Sequence, residues 1–200
     1  QGLEGGGQLS EPVMARALES LAVFSQQLRN IPRANVRVVG TNTLRAAHNA
    51  DVFLERAEKI IGVPIDVISG QEEGRLIFLG VAKGHASNAL RRLVVDIGGG
   101  STECIVGRRK AKRVESLFIG CVSMSEKFFP ERRFTREGYQ RALTLARAEI
   151  QHLADGYGAT RWDEAVGTSG TIRYVEAVID RLTPCDHLIT REGIERVVDH

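Results

Sequence analysis

Three segments of the sequence place glycine beside serine, threonine or asparagine directly after an apolar run. They are VGTNT at 39–43, DIGGGST at 96–102 and VGTSGT at 166–171. The exposed N–H groups and hydroxyls of such loops are the donors that phosphate oxygens accept from in proteins. One loop of this composition is ordinary turn chemistry. Three in one chain indicate a ligand with several phosphate groups.

Two carboxylates flank the second loop. Asp96 ends the apolar run before the glycines, and Glu103 follows Ser101 and Thr102. Phosphoryl transfer commonly needs Mg²⁺ held by carboxylates and a base that orients water. By itself, Asp96 is equally typical of a turn cap, and Glu103 of an outward-facing strand residue. Beside a phosphate loop, we expect Asp96 and Glu103 to hold a metal ion or place a water molecule.

A pair of glutamates offers a candidate base. Glu72 and Glu73 stand at the start of a predicted helix, where acids are common because they offset the helix dipole. The same dipole keeps a carboxylate ionised at neutral pH, as a general base requires. Successive helical residues point about 100° apart, so at most one of the two faces a ligand squarely. Arg45 follows the first loop and suits phosphate as a planar donor, although a solvated helix residue is the plainer interpretation.

Other phosphate and hydrolase chemistries lack their motifs. The sequence has no G-x-x-x-x-G-K-[ST], no G-x-G-x-x-G between strand and helix, and no G-x-S-x-G. Its five histidines show no metal-ligand spacing. Cys185 and Arg191 have the spacing of a cysteine-phosphatase loop. The residues between them include no glycine and lead into a capped helix, so we interpret this spacing as coincidence.

The composition fits a folded protein without a strong overall charge. The chain has 200 residues, of which 42% are hydrophobic, and 27 basic and 25 acidic residues leave a net charge of +2. We therefore expect no nucleic-acid partner and only local anion binding. Three cysteines without a C-x-x-C pair favour the reducing cytoplasm. No apolar run reaches the length that spans a bilayer.

Helices and strands alternate in the first part of the chain. An amphipathic helix follows the N-cap Ser10, and strands are predicted over 36–39 and 65–68. One helix is predicted from the GTNT loop to Ile61, and another begins at the S-G-Q-E-E-G turn. This order is typical of an α/β protein.

The second part begins with three predicted antiparallel strands, over 93–97, 103–106 and 113–118. A helix is predicted near Cys121, a longer one from its cap Thr135 to about Tyr157, and a last one from Thr190. The buried stripe predicted for the long helix is Tyr139, Ala142, Ala146, Ile150 and Leu153. The second turn of the strands, GRRKAKR, is basic and can guide a long polyanion, although charged turns are usually only solvated.

Five motifs, in this order and spacing, resemble the exopolyphosphatase and guanosine pentaphosphate phosphohydrolase family: GTNTLRAA, ISGQEEGRLIFLGV, VVDIGGGSTE, IGCVSMSEKFFP and VGTSGTI. The resemblance covers nearly the whole chain. That family belongs to the superfamily of acetate and sugar kinases, heat-shock chaperones and actin. The resemblance implies an α/β fold of two ribonuclease H-like domains with a phosphate-binding cleft between them. Residues 1–90 are then the remainder of the first domain, and 91–200 the first part of the second.

The resemblance also implies a role for each candidate residue. Glu73 matches the catalytic glutamate of the family, which activates water. Asp96 then holds Mg²⁺, and Glu103 helps to place the metal ion or the water. Phosphate binding is implied for a larger set: Arg45, Gly98, Gly99, Gly100, Ser101, Thr102, Ser169 and Gly170.

The implied activity is Mg²⁺-dependent release of terminal orthophosphate from inorganic polyphosphate or guanosine pentaphosphate. The GTNT and GGGST loops slightly favour exopolyphosphatase activity. We expect a cytoplasmic protein that is a homodimer in its full-length form. Two alternatives stay open. One is a non-catalytic phosphate or nucleotide sensor on the same fold, which the intact acids Glu73, Asp96 and Glu103 disfavour. The other is a kinase of the wider superfamily, for which we identify no acceptor site or adenosine pocket.

The chain departs from the family at both ends. The first phosphate loop of the family, D-x-G-S-N-S, is absent before Gln1, and the rest of the second domain is absent beyond the helix that opens at Thr190. We therefore expect a fragment truncated at both ends. If the polypeptide is this short, we expect poor stability and little or no turnover. If it is part of a longer chain, the expected activity applies to that parent protein.

Overall fold

The computed structural model describes residues 3–4, 7–84, 89–182 and 188–199. The chain divides into two units, residues 1–73 and 74–200. Each unit combines helices with β-strands, as predicted for an α/β protein. Within the described ranges, no helix has the length and apolar character needed to cross a membrane. Cys185, whose spacing to Arg191 we interpret as coincidence, lies outside the described residues.

The first unit is built from short paired strands and helices. Its elements are β1 (Leu3–Glu4), β2 (Gln8–Leu9), α1 (Glu11–Leu28), β3 (Val38–Gly40), α2 (Asn42–Ala46), α3 (Ala50–Ile61) and β4 (Ile65–Val67). Strands β1 and β2 pair antiparallel, and β3 and β4 pair parallel. One buried cluster holds these elements together: Leu9, Met14, Ala47, Phe53, Ala57 and Ile65. This packing fixes the point at which the GTNT loop leaves β3.

The predicted continuous helix up to Ile61 is wrong, because the chain breaks between α2 and α3. Ala47 takes an extended conformation, with φ −75° and ψ 124°. The His48 N–H donates to the Gly7 carbonyl at 2.9 Å. The Asn49 side chain accepts from the Leu9 N–H and donates to the Leu9 carbonyl, both at 2.9 Å. These hydrogen bonds to the β1–β2 hairpin override the local helical pattern.

A four-stranded sheet organises the second unit. Helix α4 (Gly70–Gly84) begins in the first unit and continues into the second, and the strands are β5 (Arg92–Ile97), β6 (Thr102–Gly107), β7 (Ala111–Leu117) and β8 (Glu164–Thr168). The strand order is β7-β6-β5-β8; β6 is antiparallel to β5 and β7, and β8 is parallel to β5. The three predicted antiparallel strands are confirmed. Because β5 and β8 are parallel, the GGGST and TSGT loops leave the sheet at the same edge.

Both faces of this sheet are covered by apolar side chains. One buried cluster joins α4 to β5 and β6: Phe78, Ala82, Val94 and Ile105. The other face carries a second cluster: Cys104, Leu117 and Leu153. Full burial of a side chain such as Phe78 contributes about 2–3 kcal/mol. Since side chains alternate along a strand, Asp96 and Glu103 lie on the α4 face with Val94 and Ile105.

The division between the two units differs from the predicted domain boundary at residue 90. Helix α4 packs on the sheet of the second unit, where Phe78 is fully buried. Gly74 allows a close approach, because a Cβ at this position would lie 2.6 Å from Val114 Cγ1 and 3.2 Å from Ile105 Cγ1. The chain from Gly74 onward therefore belongs with the second unit.

In the described part of the second unit, five α-helices follow: α5 (Cys121–Phe128), α6 (Arg136–Ile150), α7 (Ala154–Tyr157), α8 (Ser169–Leu182) and α9 (Arg191–Asp199). The predicted helix from Thr135 to about Tyr157 begins and ends as predicted, but a 3₁₀ turn at Gln151–Leu153 divides it into α6 and α7. Leu153, at the end of that turn, packs against the sheet. Of the predicted stripe, Ala142 and Leu153 are buried, but Tyr139 and Ile150 are 38% and 46% exposed.

Removing the N-cap of α6 is expected to destabilise the protein. Thr135→Ala should lower the free energy of unfolding by about 1 kcal/mol, because the Thr135 hydroxyl accepts the Gly138 N–H at 3.0 Å. Ser10→Ala is the matched control, since Ser10 makes no side-chain cap hydrogen bond to α1. Urea unfolding compares the two variants. Equal losses in both would contradict the assigned cap.

Candidate functional site

The loop between β5 and β6 presents backbone donors at the edge of the sheet. The Gly98 N–H donates to the Ser101 carbonyl at 2.9 Å, and the carbonyls of Gly98 and Gly99 accept hydrogen bonds from the first N–H groups of α5. Within the described part of the chain, the N–H groups of Gly99 and Gly100 have no acceptor. Helix α5 thus holds the loop by its carbonyls and leaves these two N–H groups available to an anion.

The two hydroxyls of this loop differ in their partners. Thr102 is buried, and its hydroxyl donates to the Ile119 carbonyl at 2.7 Å. Ser101 is also buried, but its hydroxyl makes no hydrogen bond with a described residue. Gly98 and Thr102 therefore use their donors inside the second unit. Three other predicted phosphate ligands in this loop have donors that no described residue accepts: Gly99, Gly100 and Ser101.

Asp96 and Glu103 lie directly opposite each other on β5 and β6. Glu103 is only 1% exposed, and its carboxylate accepts the Ser116 hydroxyl at 2.7 Å. Asp96 is half-buried. Burial raises the pKa of the Asp96 carboxyl, and hydrogen bonds from the side chains of Ser169 and Thr168 oppose that rise in part. A carboxylate whose charge is disfavoured in this way gains stability from a nearby cation.

The TSGT loop brings a strained residue to Asp96. Ser169 has φ +77° at the start of α8. Non-glycine residues rarely adopt this conformation, and those that do cluster at functional sites. The Thr168 hydroxyl donates to Asp96 Oδ2 at 3.4 Å. Gly170 borders open space, since a Cβ there would have no neighbour within 4 Å. The second and third predicted loops therefore form one cluster around Asp96.

In the first unit, Arg45 and Glu73 form an ion pair. Arg45 Nη1 lies 3.1 Å from Glu73 Oε2 and donates to the Ile68 carbonyl at 2.7 Å. Both side chains are partly buried, at 24% and 18% exposure. Arg45, in α2, thus contacts both the residue after β4 and the first turn of α4. The two predicted site residues of this unit therefore lie together. The Nε and Nη2 donors of Arg45 have no acceptor among the described residues.

Glu72 and Glu73 point to different partners, as their helical spacing predicts. Glu72 Oε1 lies 3.5 Å from Nη1 of Arg37, which is 51% exposed. Ser69 caps the helix, because its hydroxyl accepts the Glu72 N–H at 3.2 Å and its carbonyl accepts the Glu73 N–H at 2.9 Å. The first turn of α4 thus directs two partly buried glutamates to different arginines, Glu72 to Arg37 and Glu73 to Arg45.

Asp96 fits a magnesium ion better than a transition metal. Among the described residues, no group of three or more His, Cys, Asp or Glu side chains could hold a metal. Mg²⁺ needs no such cage, because it usually binds one or two carboxylates together with water and substrate phosphates. Asp96 offers one such oxygen ligand, and the free N–H groups of the GGGST loop beside it are donors that suit a phosphate.

Two residues of this cluster are not predicted from the sequence. Thr168 stands in the TSGT loop, whose composition is a usable signal, and its hydroxyl contacts Asp96. Ser116 in β7 donates to Glu103, and no local pattern distinguishes it from an outward strand residue.

Comparison with known proteins matches the whole chain to one protein family. Residues 1–200 match the Ppx/GppA phosphatase family. A guanosine-5'-triphosphate,3'-diphosphate pyrophosphatase of Vibrio atlanticus is 41% identical over 198 residues, covering 98% of this chain and 39% of that protein. An Aquifex aeolicus member of the family is 29% identical, with a TM-score of 0.72 over 97% of this chain and 64% of that one. An exopolyphosphatase of Cytophaga hutchinsonii is 26% identical, with a TM-score of 0.77 over 94% and 60% of the two chains.

These likenesses confirm the predicted α/β fold class and show that the chain shares the fold of these Ppx/GppA and exopolyphosphatase structures. The chain spans about 39% of the length of the curated relatives that it matches.

Proposed function

Because the chain belongs to the Ppx/GppA phosphatase family, we propose that it carries phosphate-binding and catalytic residues of a phosphoanhydride hydrolase. The proposed reaction releases the terminal phosphate of guanosine pentaphosphate. The support for this substrate is 41% identity to a relative named for it. The loop motifs favour polyphosphate, which is the second candidate substrate. Homodimerisation and a cytoplasmic location stay predictions.

The observation that carries this proposal is the cluster around Asp96. The free N–H groups of Gly99 and Gly100 and the free hydroxyl of Ser101 lie in the loop that directly follows this carboxylate. Backbone donors bind phosphate oxygens, and a carboxylate beside them suits the cation that accompanies a polyphosphorylated substrate. We propose that Ser169 and Gly170, at the start of α8, complete the phosphate ligands.

Asp96 would hold Mg²⁺, which when bound neutralises negative charge on the transferred phosphate. Glu103, which lies opposite Asp96 and is almost fully buried, would help to place the ion or a water molecule. Its hydrogen bond from Ser116 fixes the carboxylate in one orientation.

Glu73 would act as the general base. Its carboxylate takes a proton from water while the water oxygen forms a bond to the terminal phosphorus. The bond from that phosphorus to the bridging oxygen breaks, and orthophosphate and guanosine tetraphosphate are the products. Arg45 holds Glu73 through Nη1 and keeps Nε and Nη2 for a phosphate oxygen.

Orthophosphate release by the full-length protein with Mg²⁺ tests the proposal. Guanosine pentaphosphate and long-chain polyphosphate are supplied separately at equal concentrations of terminal phosphate. Faster release from guanosine pentaphosphate is the expected result. Faster release from polyphosphate assigns the exopolyphosphatase activity instead. Binding of either compound without release would overturn the hydrolase and favour a sensor.

Asp96→Asn is expected to stabilise the metal-free protein at neutral pH. A raised pKa in the folded state means that the folded chain holds this proton more tightly than the unfolded chain. Stability therefore falls as pH rises from the ordinary value of 3.8 through the folded pKa. Asparagine removes this loss but keeps an acceptor for Thr168. The melting temperature of the variant should exceed that of the wild type at pH 7, and the difference should shrink as pH falls towards 3.8.

Added Mg²⁺ should reverse this order. The ion should raise the melting temperature of the wild type and leave Asp96→Asn unchanged, because only the carboxylate binds it. Asp155→Asn is the control, since Asp155 is exposed and makes no ion pair with a described residue. An equal response to Mg²⁺ in wild type and Asp96→Asn would contradict the assigned ligand.

A further inference from the structure

We propose that the second unit contains a second anion site, which binds an oligophosphate at the end of the sheet opposite the GGGST loop. A pocket of about 680 Å³ lies there, and seven of its ten lining residues are Arg or Lys. Five come from the turn between β6 and β7 and from the start of β7: Arg108, Arg109, Lys110, Lys112 and Arg113. Arg91 and Arg161 complete the basic lining.

The positive charge of this pocket is largely uncompensated. Of the seven cations, only Arg91 makes an ion pair with a described residue, with its Nη2 3.3 Å from Asp163 Oδ1. The Arg91 Nε is buried and has no hydrogen-bond partner in the described structure. The pKa of Asp163 is lowered by hydrogen bonds from Arg91 and by the charge of Arg108. Because seven cationic side chains that line one pocket repel one another, an anion that lies between them is stabilised.

Two glycines show that the pocket is built and is more than a solvated turn. A Cβ at Gly156 would lie 2.9 Å from Arg113 Nη1, so the missing side chain leaves room for the guanidinium. A Cβ at Gly107 would collide with the Lys110 carbonyl oxygen and would lie 2.8 Å from Phe78 Cζ. The backbone of the turn therefore packs tightly against the core of the second unit, which fixes the positions from which its cationic side chains extend.

The lining favours an oligophosphate over a nucleic acid. Proteins that bind single-stranded nucleic acid combine basic grooves with aromatic side chains on which bases stack. None of the described residues that line this pocket is aromatic. Recognition must then rest on charge and on the fork geometry of arginine, both of which suit phosphate oxygens.

The pocket is distinct from the cluster around Asp96. Strand β6, Thr102–Gly107, leads from the GGGST loop to the basic turn. Its length separates the two sites by roughly 17 Å. Binding at the basic pocket therefore goes beyond the proposed hydrolysis and requires neither Asp96 nor Glu73.

Tripolyphosphate is the probe, titrated calorimetrically into the full-length protein with EDTA. The test variant R108S/R109S/K110S removes three exposed cations from the pocket, and R133Q/R136Q/R141Q removes three exposed cations elsewhere in the same unit. The test variant should weaken binding about ten-fold, because charge-assisted contacts are lost, and the control by less than about two-fold. Hydrogen exchange should show tripolyphosphate protecting residues 107–113 and 156–161 in the wild type.

Three results would overturn the inference. Equal weakening by both triple variants would indicate general attraction to surface charge. Protection by tripolyphosphate that is confined to residues 98–102 would mean that it binds only at the GGGST loop. A single-stranded RNA octanucleotide that binds more tightly than tripolyphosphate and protects residues 107–113 and 156–161 would assign the pocket to nucleic acid. Phosphate release from guanosine pentaphosphate should stay unchanged in R108S/R109S/K110S, so failure of the basic pocket is distinguishable from failure of the proposed hydrolase.

Discussion

Glu73→Gln is expected to lower kcat for phosphate release by about 10³-fold, because a positioned general base contributes roughly 10²–10⁴-fold. Glutamine cannot take the proton from water. Its amide oxygen can still accept from Arg45 Nη1, which lies 3.1 Å from Glu73 Oε2 in the wild type. The fold and KM should therefore change little. Steady-state kinetics of the full-length variant, with Mg²⁺ and guanosine pentaphosphate, measure both constants.

Glu72→Gln is the matched control for this variant. Glu72 occupies the same helical turn, but its carboxylate lies 3.5 Å from the exposed Arg37. Exposed ion pairs contribute less than about 1 kcal/mol, so kcat should stay within about two-fold of the wild type. A raised KM with unchanged kcat in Glu73→Gln would assign this glutamate to binding. Similar losses of kcat in both variants would indicate damage to the first turn of α4.

Local patterns in the sequence predict much of the second unit. Apolar runs and a turn between them predict the antiparallel strands, and the pairing of Asp96 with Glu103 follows once β5 and β6 form a hairpin. The N-cap Thr135 is also readable from its spacing, and the structure confirms its hydrogen bond to α6. These features depend on residues close together in the chain, where propensity and alternation act directly.

Contacts between distant residues are harder to predict. Thr168 reaches Asp96 only because β8 joins β5 in parallel, and these residues lie 72 positions apart. The break between α2 and α3 likewise depends on Asn49 and its hydrogen bonds to Leu9, 40 positions away. A periodic pattern describes the preference of a segment alone, so it cannot include a competing partner elsewhere in the chain.

The ion pair of Arg45 and Glu73 illustrates the same limit at the candidate site. Each residue is predicted separately, one after a glycine-containing loop and one at a helix start. Their contact requires β3 and β4 to pair in parallel, so that the elements that follow the two strands begin at one edge. The sequence therefore predicts the chemistry of both side chains but not that one holds the other.

Gly120→Ala is expected to damage both stability and catalysis. Gly120 has φ −151° and ψ 164°, an extended conformation that alanine adopts without strain. Its need for glycine comes from close approach, because a Cβ would lie 2.5 Å from the nitrogen of Gly100 and from the carbonyl carbon and oxygen of Gly99. These are backbone atoms, which cannot rotate away as a side chain can. Overpacking of this kind costs about 1–3 kcal/mol of stability.

The catalytic effect of Gly120→Ala follows from the same contact. A methyl group at Gly120 must push the GGGST loop away from α5, and a displacement of about 1 Å in a positioning group costs roughly 10²-fold in rate. Gly80→Ala is the control, because a Cβ there has no neighbour within 4 Å and the residue lies inside α4. That variant should gain about 1 kcal/mol in stability and keep its kcat/KM. Urea unfolding and phosphate release measured on both variants test the pair, and unchanged kcat/KM in Gly120→Ala would show that phosphate binding does not depend on the position of this loop.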